Sequence, residues 1–417
     1  MRVPFTAVCC LALSSVHLAA YAKDDVDTVK PSEPKVLELQ DIEVQSVSEL
    51  GKKTFDRQQL GEMPITNGDI TSVLKRHPNV QFDNKNQSGK NLGEIDPANI
   101  SINGARFWQN RFNVDGMNMN NDLDPGNTDN GPNSLGGRSQ GLALDLDLLG
   151  DITVYDSNVP ASFGGFNGGV VDVSTRQPRS GLHGRVSVQT TRSSWTRYHL
   201  NPDDPSLDDF LAGFGIDNQP EFTKITQRYD LEGSVTDNWR LLGSFSRKHS
   251  EMPTRVFGRT HTSPQANRKE TQTRQIDNYF VKSFWQINPN WDTDISFTHA
   301  PEEHHMFGSN TLNSEYTTIN GGDAVNWRLR WEAPWAKVEQ RISWSKMTNR
   351  RESEEDFMAT WYSSAEKDWS SKLYASEGGF GAVQRIQDTL AYQLQADWNS
   401  FNTGALIHSW QTGFEIT

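Results

Sequence analysis

From Arg185 onward, apolar and polar residues alternate with a period of two. Ile295 and Phe297 alternate with Asp294, Ser296 and Thr298. Val325, Trp327, Leu329 and Trp331 alternate with Asn326, Arg328, Arg330 and Glu332, and Ile386, Leu390, Tyr392, Leu394 and Trp398 with Gln387, Gln393, Gln395 and Asp397. Successive side chains of a strand point to opposite faces, so this pattern predicts strands with one apolar and one polar face. It divides into nine: about 184–193, 226–236, 239–249, 274–286, 291–299, 323–333, 337–348, 386–398 and 405–417. Several reach the length of a tilted membrane strand, about 9–11 residues. Short turns at Asp237-Asn238, Asn288-Pro289-Asn290, Pro334 and Asn399 to Gly404 alternate with long polar loops at 194–224, 250–273, 301–322 and 349–385. That alternation is the mark of an outer-membrane barrel, short turns in the periplasm and long loops outside. Trp239, Trp285, Trp291, Trp331, Trp335 and Trp398 sit beside the short turns, which predicts an aromatic girdle at the periplasmic interface.

The first half of the chain reads differently. Asn67-Gly68-Asp69 precedes a helical pattern with Ile70, Val73 and Leu74 on one face, Asp69 as its cap and Pro78 beyond its end. A strand follows at Val80 to Phe82, after Asn79, a residue that tolerates φ > 0. Asp115-Gly116 is a turn signal between strands. Ile152 and Val154 alternate with Thr153 and Tyr155, and a glycine cluster (Gly164, Gly165, Gly168, Gly169) leads into a second β-rich run, Val170 to Thr175. Glycine lets one backbone approach another closely, so this is a strand, a packed corner and a strand.

Composition sharpens the reading. The 35% hydrophobic content and a mean hydropathy of −0.69 exclude helical spans, yet the chain carries 13 Trp, 20 Phe and 9 Tyr. A transmembrane β-barrel reconciles the two, since only alternate residues need be apolar and aromatics collect at the interfaces. The net charge of −13 argues against a nucleic-acid partner. Residues 1–22 read as a signal peptide: basic Arg2, an apolar core from Phe5 to Ala20, and Ala20-Tyr21-Ala22 at the cleavage site. Both cysteines, Cys9 and Cys10, lie in that segment, so the mature chain is expected to hold no disulfide. No H-E-x-x-H or P-loop motif occurs, and no enzyme activity or cofactor is expected.

The stretch Pro160-Ala161-Ser162-Phe163-Gly164, then Gly168-Gly169-Val170, then Thr175 and Pro178, resembles the end of the plug domain of TonB-dependent outer-membrane receptors. Ile100-Ser101-Ile102-Asn103-Gly104, then Asn110-Arg111 and a β run ending Asp115-Gly116, extend the resemblance, with Asn103 where the family usually has Arg. The resemblance implies a mainly β chain: a small α+β plug domain followed by part of an antiparallel transmembrane β-barrel, about 22 strands if complete. Residues 1–22 would be signal peptide, 23–50 a periplasmic tether, 51–180 the plug, and 181–417 the N-terminal portion of the barrel. Nine strands cannot enclose a plug of this size, because barrel diameter grows with strand number, and the chain ends in mid-strand at Thr417. The expectation is therefore an N-terminal fragment of a longer protein in the Gram-negative outer membrane.

The resemblance also implies a partner, the periplasmic domain of TonB with its inner-membrane energising complex. It would pair as an added strand with a short TonB box. Asp41, Ile42, Glu43, Val44 and Gln45 are the candidates, a first plug strand or plain linker being the other reading. Ligand would meet two apical loops, Gly104 to Trp108 and Met117 to Gly141. The candidate contacts are Arg106, Phe107, Trp108, Arg111, Asp122 and Asp124, although Phe107 and Trp108 could equally pack inside the plug. Asp122-x-Asp124-x-Gly126 has a calcium-loop spacing but lacks the closing Glu. His299 to His305 (HAPEEHH), read as a loop, holds metal-ligating side chains, but clustered exposed His usually binds nothing specific, and no metal site is expected. The function implied is energy-coupled uptake of a scarce ligand, whether siderophore, cobalamin, glycan or peptide. A passive porin or small barrel with a plug-like periplasmic domain is the alternative.

Overall fold

The computed structural model describes residues 50–63, 67–83, 88–123, 126, 130–131, 134–256, 269–367, 369, 373–404 and 406–417, all within one compact unit, Ser48–Thr417. The predicted TonB box, Asp41 to Gln45, and Asp124 lie outside the described residues.

The N-terminal part is built from β1 (Lys52–Phe55), α1 (Arg57–Glu62), α2 (Ile70–Leu74), β2 (Val80–Phe82), β3 (Ile100–Ile102), β4 (Arg111–Val114), β5 (Met117–Asn118), β6 (Asn130–Gly131), β7 (Ser134–Leu135), β8 (Leu149–Tyr155) and β9 (Val170–Thr175). Its main sheet has the order β1-β8-β9-β4-β5, with β4 and β9 parallel and the other pairs antiparallel. Both helices start where the sequence supplies a cap. Asp56 accepts from the Gln59 amide at 2.9 Å, and Asp69 accepts from the Ser72 amide at 2.9 Å. Ile70, Val73 and Leu74 turn inward and share one core with Ile102, Leu149, Ile152, Val154, Val171 and Val173. β4 and β5 turn at Asp115 (φ 49°) and Gly116 (φ 79°), the two positive φ values a tight hairpin requires. Asn79 does not take up a positive φ. Its side chain instead donates to the Asp156 carboxylate at 2.5 Å, tying the start of β2 to the end of β8.

Close contacts demand glycine at two of the corner's four positions, and a left-handed backbone (φ 72°) favours it at a third, Gly165. A Cβ on Gly169 would lie 2.6 Å from the Tyr155 carbonyl oxygen and 2.7 Å from Ile102, and one on Gly168 would lie 2.9 Å from the Ile102 carbonyl. Here the chain enters β9 while pairing with both β8 and β4, so three backbones converge.

The C-terminal part contains β10 (His183–Arg192), β11 (Thr223–Thr236), β12 (Trp239–Arg255), β13 (Lys269–Asn288), β14 (Trp291–Met306), β15 (Thr311–Leu312), β16 (Tyr316–Glu332), β17 (Ala336–Ser353), β18 (Met358–Tyr362), β19 (Tyr374–Gly378), β20 (Val383–Thr403) and β21 (Leu406–Ile416). Nine of these form a single antiparallel sheet, β10-β11-β12-β13-β14-β16-β17-β20-β21, whose edge strands are β10 and β21. All nine predicted strands are present. One row faces outward and is apolar: Val188, Leu231, Val281, Phe297 and Leu390 are exposed. The inward row is polar and covered: Arg228, Lys248, Asn278, Lys282, Asp292 and Asp294 are buried. The tryptophans predicted to line the short turns do meet. Trp291 stacks on Trp331 at 5.2 Å, Trp331 meets Trp335 at 5.6 Å, and Trp335 meets Trp398 at 5.1 Å.

The strands run further toward the long loops than expected, and this corrects one reading. His299 to His305 is not a loop but the end of β14. Alternation therefore splits the cluster, with Glu302 and His304 buried on the inward face and Glu303 and His305 on the other. Beyond the hydrocarbon the outer face meets water and the inner face stays polar, so the apolar signal fades while the ladder continues.

These contacts predict unequal effects along the glycine corner. Gly169→Ala destabilises the plug by about 1–3 kcal/mol through overpacking, whereas Gly164→Ala, whose Cβ meets nothing within 4 Å, changes stability by less than about 0.5 kcal/mol. Thermal melts of the two purified variants in detergent compare them directly.

Candidate functional site

The inward row of the wall meets the N-terminal sheet through charge. At its periplasmic end, Arg176 pairs with Asp230 (3.3 Å) and Glu232 (2.8 Å), and Arg179 joins Glu232 at 2.7 Å. Midway, Asp145 is fully buried and accepts from Arg228 Nε at 2.8 Å and Nη2 at 3.0 Å, with Lys248 Nζ 3.1 Å away. Lys248 also donates to the Gly68 carbonyl at 2.7 Å, and the Asp145 amide donates to Asn278 Oδ1 at 2.7 Å. Asp115 accepts from the Thr175 amide (2.8 Å) and hydroxyl (2.5 Å) and faces Lys282 at 3.6 Å. Burial works to raise the Asp145 and Asp115 carboxyls. Lys248 and Arg228 in the first case, and Lys282 and Thr175 in the second, outweigh it and hold both below the ordinary carboxylate range.

Beside Asp115 lies a small polar cavity of ≈ 70 Å³, lined by Asp172, Gln177, Asn326, Arg328 and Arg341 among others. Here the balance goes the other way. Burial pushes the Asp172 carboxyl up to about 6; Arg341 opposes this, while Asp151 and Asp115 add to it.

At the extracellular end a cleft of ≈ 220 Å³ opens between the 94–99 and 135–138 segments and the wall. Arg138 bonds Asp96 at 3.0 Å and also contacts Glu302 of β14. His304 Nε2 lies 2.8 Å from Asp96 Oδ1, and Arg274 Nε lies 3.5 Å from Glu94. The Asp96 carboxyl is held low: burial opposes ionisation, but His304 and Arg138 override it. None of these residues was singled out for this role in the sequence. Asp96 and His304 belong to different elements, and only the pairing of β14 with the wall aims Glu302 and His304 inward.

The predicted contact residues do not form one apical site. Arg106, Phe107 and Trp108 pack on each other, Phe107 edge-on to Trp108 at 4.8 Å and Arg106 over the Trp108 ring at 5.1 Å. Gln109, next in the chain, accepts from the amides of Asn167 and Gly168, so this segment adjoins the glycine corner and not the extracellular cleft. Arg111 opens β4. It is buried on β4 and donates from Nη2 to both carboxylate oxygens of Glu415 at 3.1 Å. Asp122 is exposed, and its amide donates to Gln387 of β20 at 3.0 Å.

A mixed-sheet domain seated by charge pairs on the polar face of a membrane β-wall is the architecture of a plugged outer-membrane barrel. The chain is 26% identical over 368 residues to the uncharacterised protein YddB of Escherichia coli K12, covering 88% of this chain and 46% of that one. The crystal structure of the E. coli outer membrane transporter YddB superposes with a TM-score of 0.77 at 26% identity, over 88% of this chain and 48% of that one. The siderophore receptor PirA of Acinetobacter baumannii (TM-score 0.55, 14% identity, 88% and 47%) and the ferric enterobactin receptor PfeA of Pseudomonas aeruginosa (0.54, 13%, 88% and 49%) share the fold. No family model matches the chain. In sequence and fold the chain is similar to TonB-dependent outer-membrane transporters, and it is an outer-membrane protein. It spans about half the length of the relatives it matches.

The depressed carboxyls set a pH dependence. Their folded values lie below the ordinary value of 3.8. Their contribution is therefore present above about pH 4 and is lost as pH falls through the folded values. With Asp172 replaced by Asn, the plug melting temperature is expected to be flat from pH 7 to 5 and to drop below pH 4, read by scanning calorimetry in detergent. Asp172 has the opposite sign. Its raised value means stability is lost as pH rises from about 4 toward 6. Asp172→Asn is expected to raise the melting temperature by about 2–4 °C at pH 7.5 and to leave it unchanged at pH 4.

Proposed function

We propose that the chain is the plug and adjoining barrel portion of a transporter for energy-coupled uptake of a scarce ligand across the outer membrane. Residues 1–22 export the chain, 23–50 form a periplasmic tether, 51–180 the plug, and 181–417 contribute barrel strands. Ligand binds from outside. The plug shifts and exposes Asp41 to Gln45. TonB, driven by the inner-membrane proton gradient, pairs with that strand and pulls. Ligand drives this only if it binds the exposed state more tightly than the hidden one. The chain acts by binding and movement, without catalysis. Its ligand is a small molecule or oligomer, and the siderophore, cobalamin, glycan and peptide classes all suit such a cycle.

The observation that carries this reading is the polar seat. Asp145, Asp115, Arg176 and Arg111 bind the plug to the wall through groups that water can replace one for one. A domain seated by apolar packing would expose its own core on leaving. Support from relatives is of the same kind, since YddB is described as an outer membrane transporter and PirA as a siderophore receptor.

A peptide spanning Val36 to Val47 is expected to bind the purified periplasmic domain of TonB. Deleting Asp41 to Gln45 from the whole protein is expected to abolish TonB-dependent uptake while leaving its outer-membrane level unchanged. Uptake that survives the deletion, or that persists in cells lacking TonB, would instead make the protein a passive pore.

A further inference from the structure

We propose that Asp96, Glu302 and His304 form a binding site for a divalent first-row transition metal ion such as Zn²⁺, bridging the apical surface of the plug to the barrel wall. The ligand types are those such ions take: one imidazole and two carboxylates, with room for water. Their donor atoms all lie within 4.8 Å of one another. His304 Nε2 is 2.8 Å from Asp96 Oδ1 and 3.7 Å from Glu302 Oε2. Metal–ligand bonds of about 2.0–2.1 Å place adjacent ligand atoms about 2.9–3.4 Å apart, so the two spacings to His304 need changes of only a few tenths of an ångström, and a rotation of the Glu302 or Asp96 carboxylate closes the third.

The second observation is the state of His304. Its side chain is 2% exposed, yet neither ring nitrogen makes a hydrogen bond, and Asp96 Oδ1 makes none either. The Nε2–Oδ1 approach is close but off the N–H direction. Buried polar atoms are almost always satisfied; Asp96 and His304 meet here as an ion pair, and a divalent ion can take the place of the imidazolium proton between them. Arg138 does not fill that role. It holds Asp96 through Oδ2, leaving Oδ1 facing His304, and it also bonds Glu302 Oε2, as an outer partner that orients two ligands does. Charge agrees. Glu94, Asp96 and Glu302 face two guanidiniums, Arg138 and Arg274, and Asp83 adds a further carboxyl to the cleft lining. Asp96 is about one-quarter exposed, which gives an ion a path in.

The site is independent of the transport reading, because it concerns a joint between two elements of the fold. The whole protein, purified in detergent and stripped with a chelator, is titrated with ZnCl₂ by calorimetry. The expected result is one saturable Zn²⁺ per chain. His304→Ala and Glu302→Gln should each weaken it at least tenfold while the protein keeps its heat-modifiable migration on gels. Asp96→Asn, on the plug side, supplies the same test if a wall variant misfolds. Co²⁺ at the site should show visible d–d absorption that His304→Ala removes. Absence of saturable Zn²⁺ binding, or binding that survives His304→Ala, overturns the assignment.

Discussion

Backbone amides and carbonyls cannot be left unpaired in hydrocarbon, and most of this structure depends on that constraint. It obliges the membrane part to be a hydrogen-bonded sheet. A sheet has two faces, so placing apolar residues toward lipid leaves the alternate row for the interior. That row is consequently polar: Arg228, Lys248, Lys282 and Asp294 occupy positions that would form the core of a soluble sandwich. Whatever fills the interior has to satisfy them. The plug does so for the three cations with Asp145, Asp115 and Thr175, while Asp294 is met by Lys282 and Arg328 of the wall itself.

This explains why the contact between the two parts is ionic without requiring that it be strong. A buried ion pair returns little net stability over an apolar replacement, but losing one partner leaves a bare buried charge and costs about 3–5 kcal/mol. The pairs therefore specify a seat more than they glue it. Asp145 has one position in which Arg228, Lys248 and Asn278 are all satisfied. Asp172 is the exception, a carboxyl beside a cavity whose neighbours do not compensate its burial.

The architecture was largely legible because period two survives even where hydropathy is low. All nine strands follow from it, and so does the tryptophan belt, since both are set by the solvent and not by tertiary detail. The helix cap at Asp69 and the turn at Asp115-Gly116 were legible because their causes are local. The site was not. Arg111 reads as a ligand contact alongside Trp108, but its partner Glu415 lies 304 residues along the chain. His299 to His305 reads as a loop because hydrophobicity stops there, although the ladder to β16 continues through Met306. Contacts between distant strands and the plug leave no periodic trace.

The plug's own core shows how small the apolar share of the seat is. Among the described residues, the wall contributes Leu242, Phe280, Ala300, Ala324 and Met347 to that core, and the rest comes from the plug. At about 25 cal/mol per Å² of apolar area, two alanines and three larger side chains supply far less than the plug's internal packing does. The plug can thus hold its fold through Ile102, Leu149, Ile152, Val154 and Val171 while its attachment to the wall rests on groups that water solvates well. Folding and seating are governed by different forces, so acid, which protonates Asp145 and Asp115, loosens the seat before it touches the core.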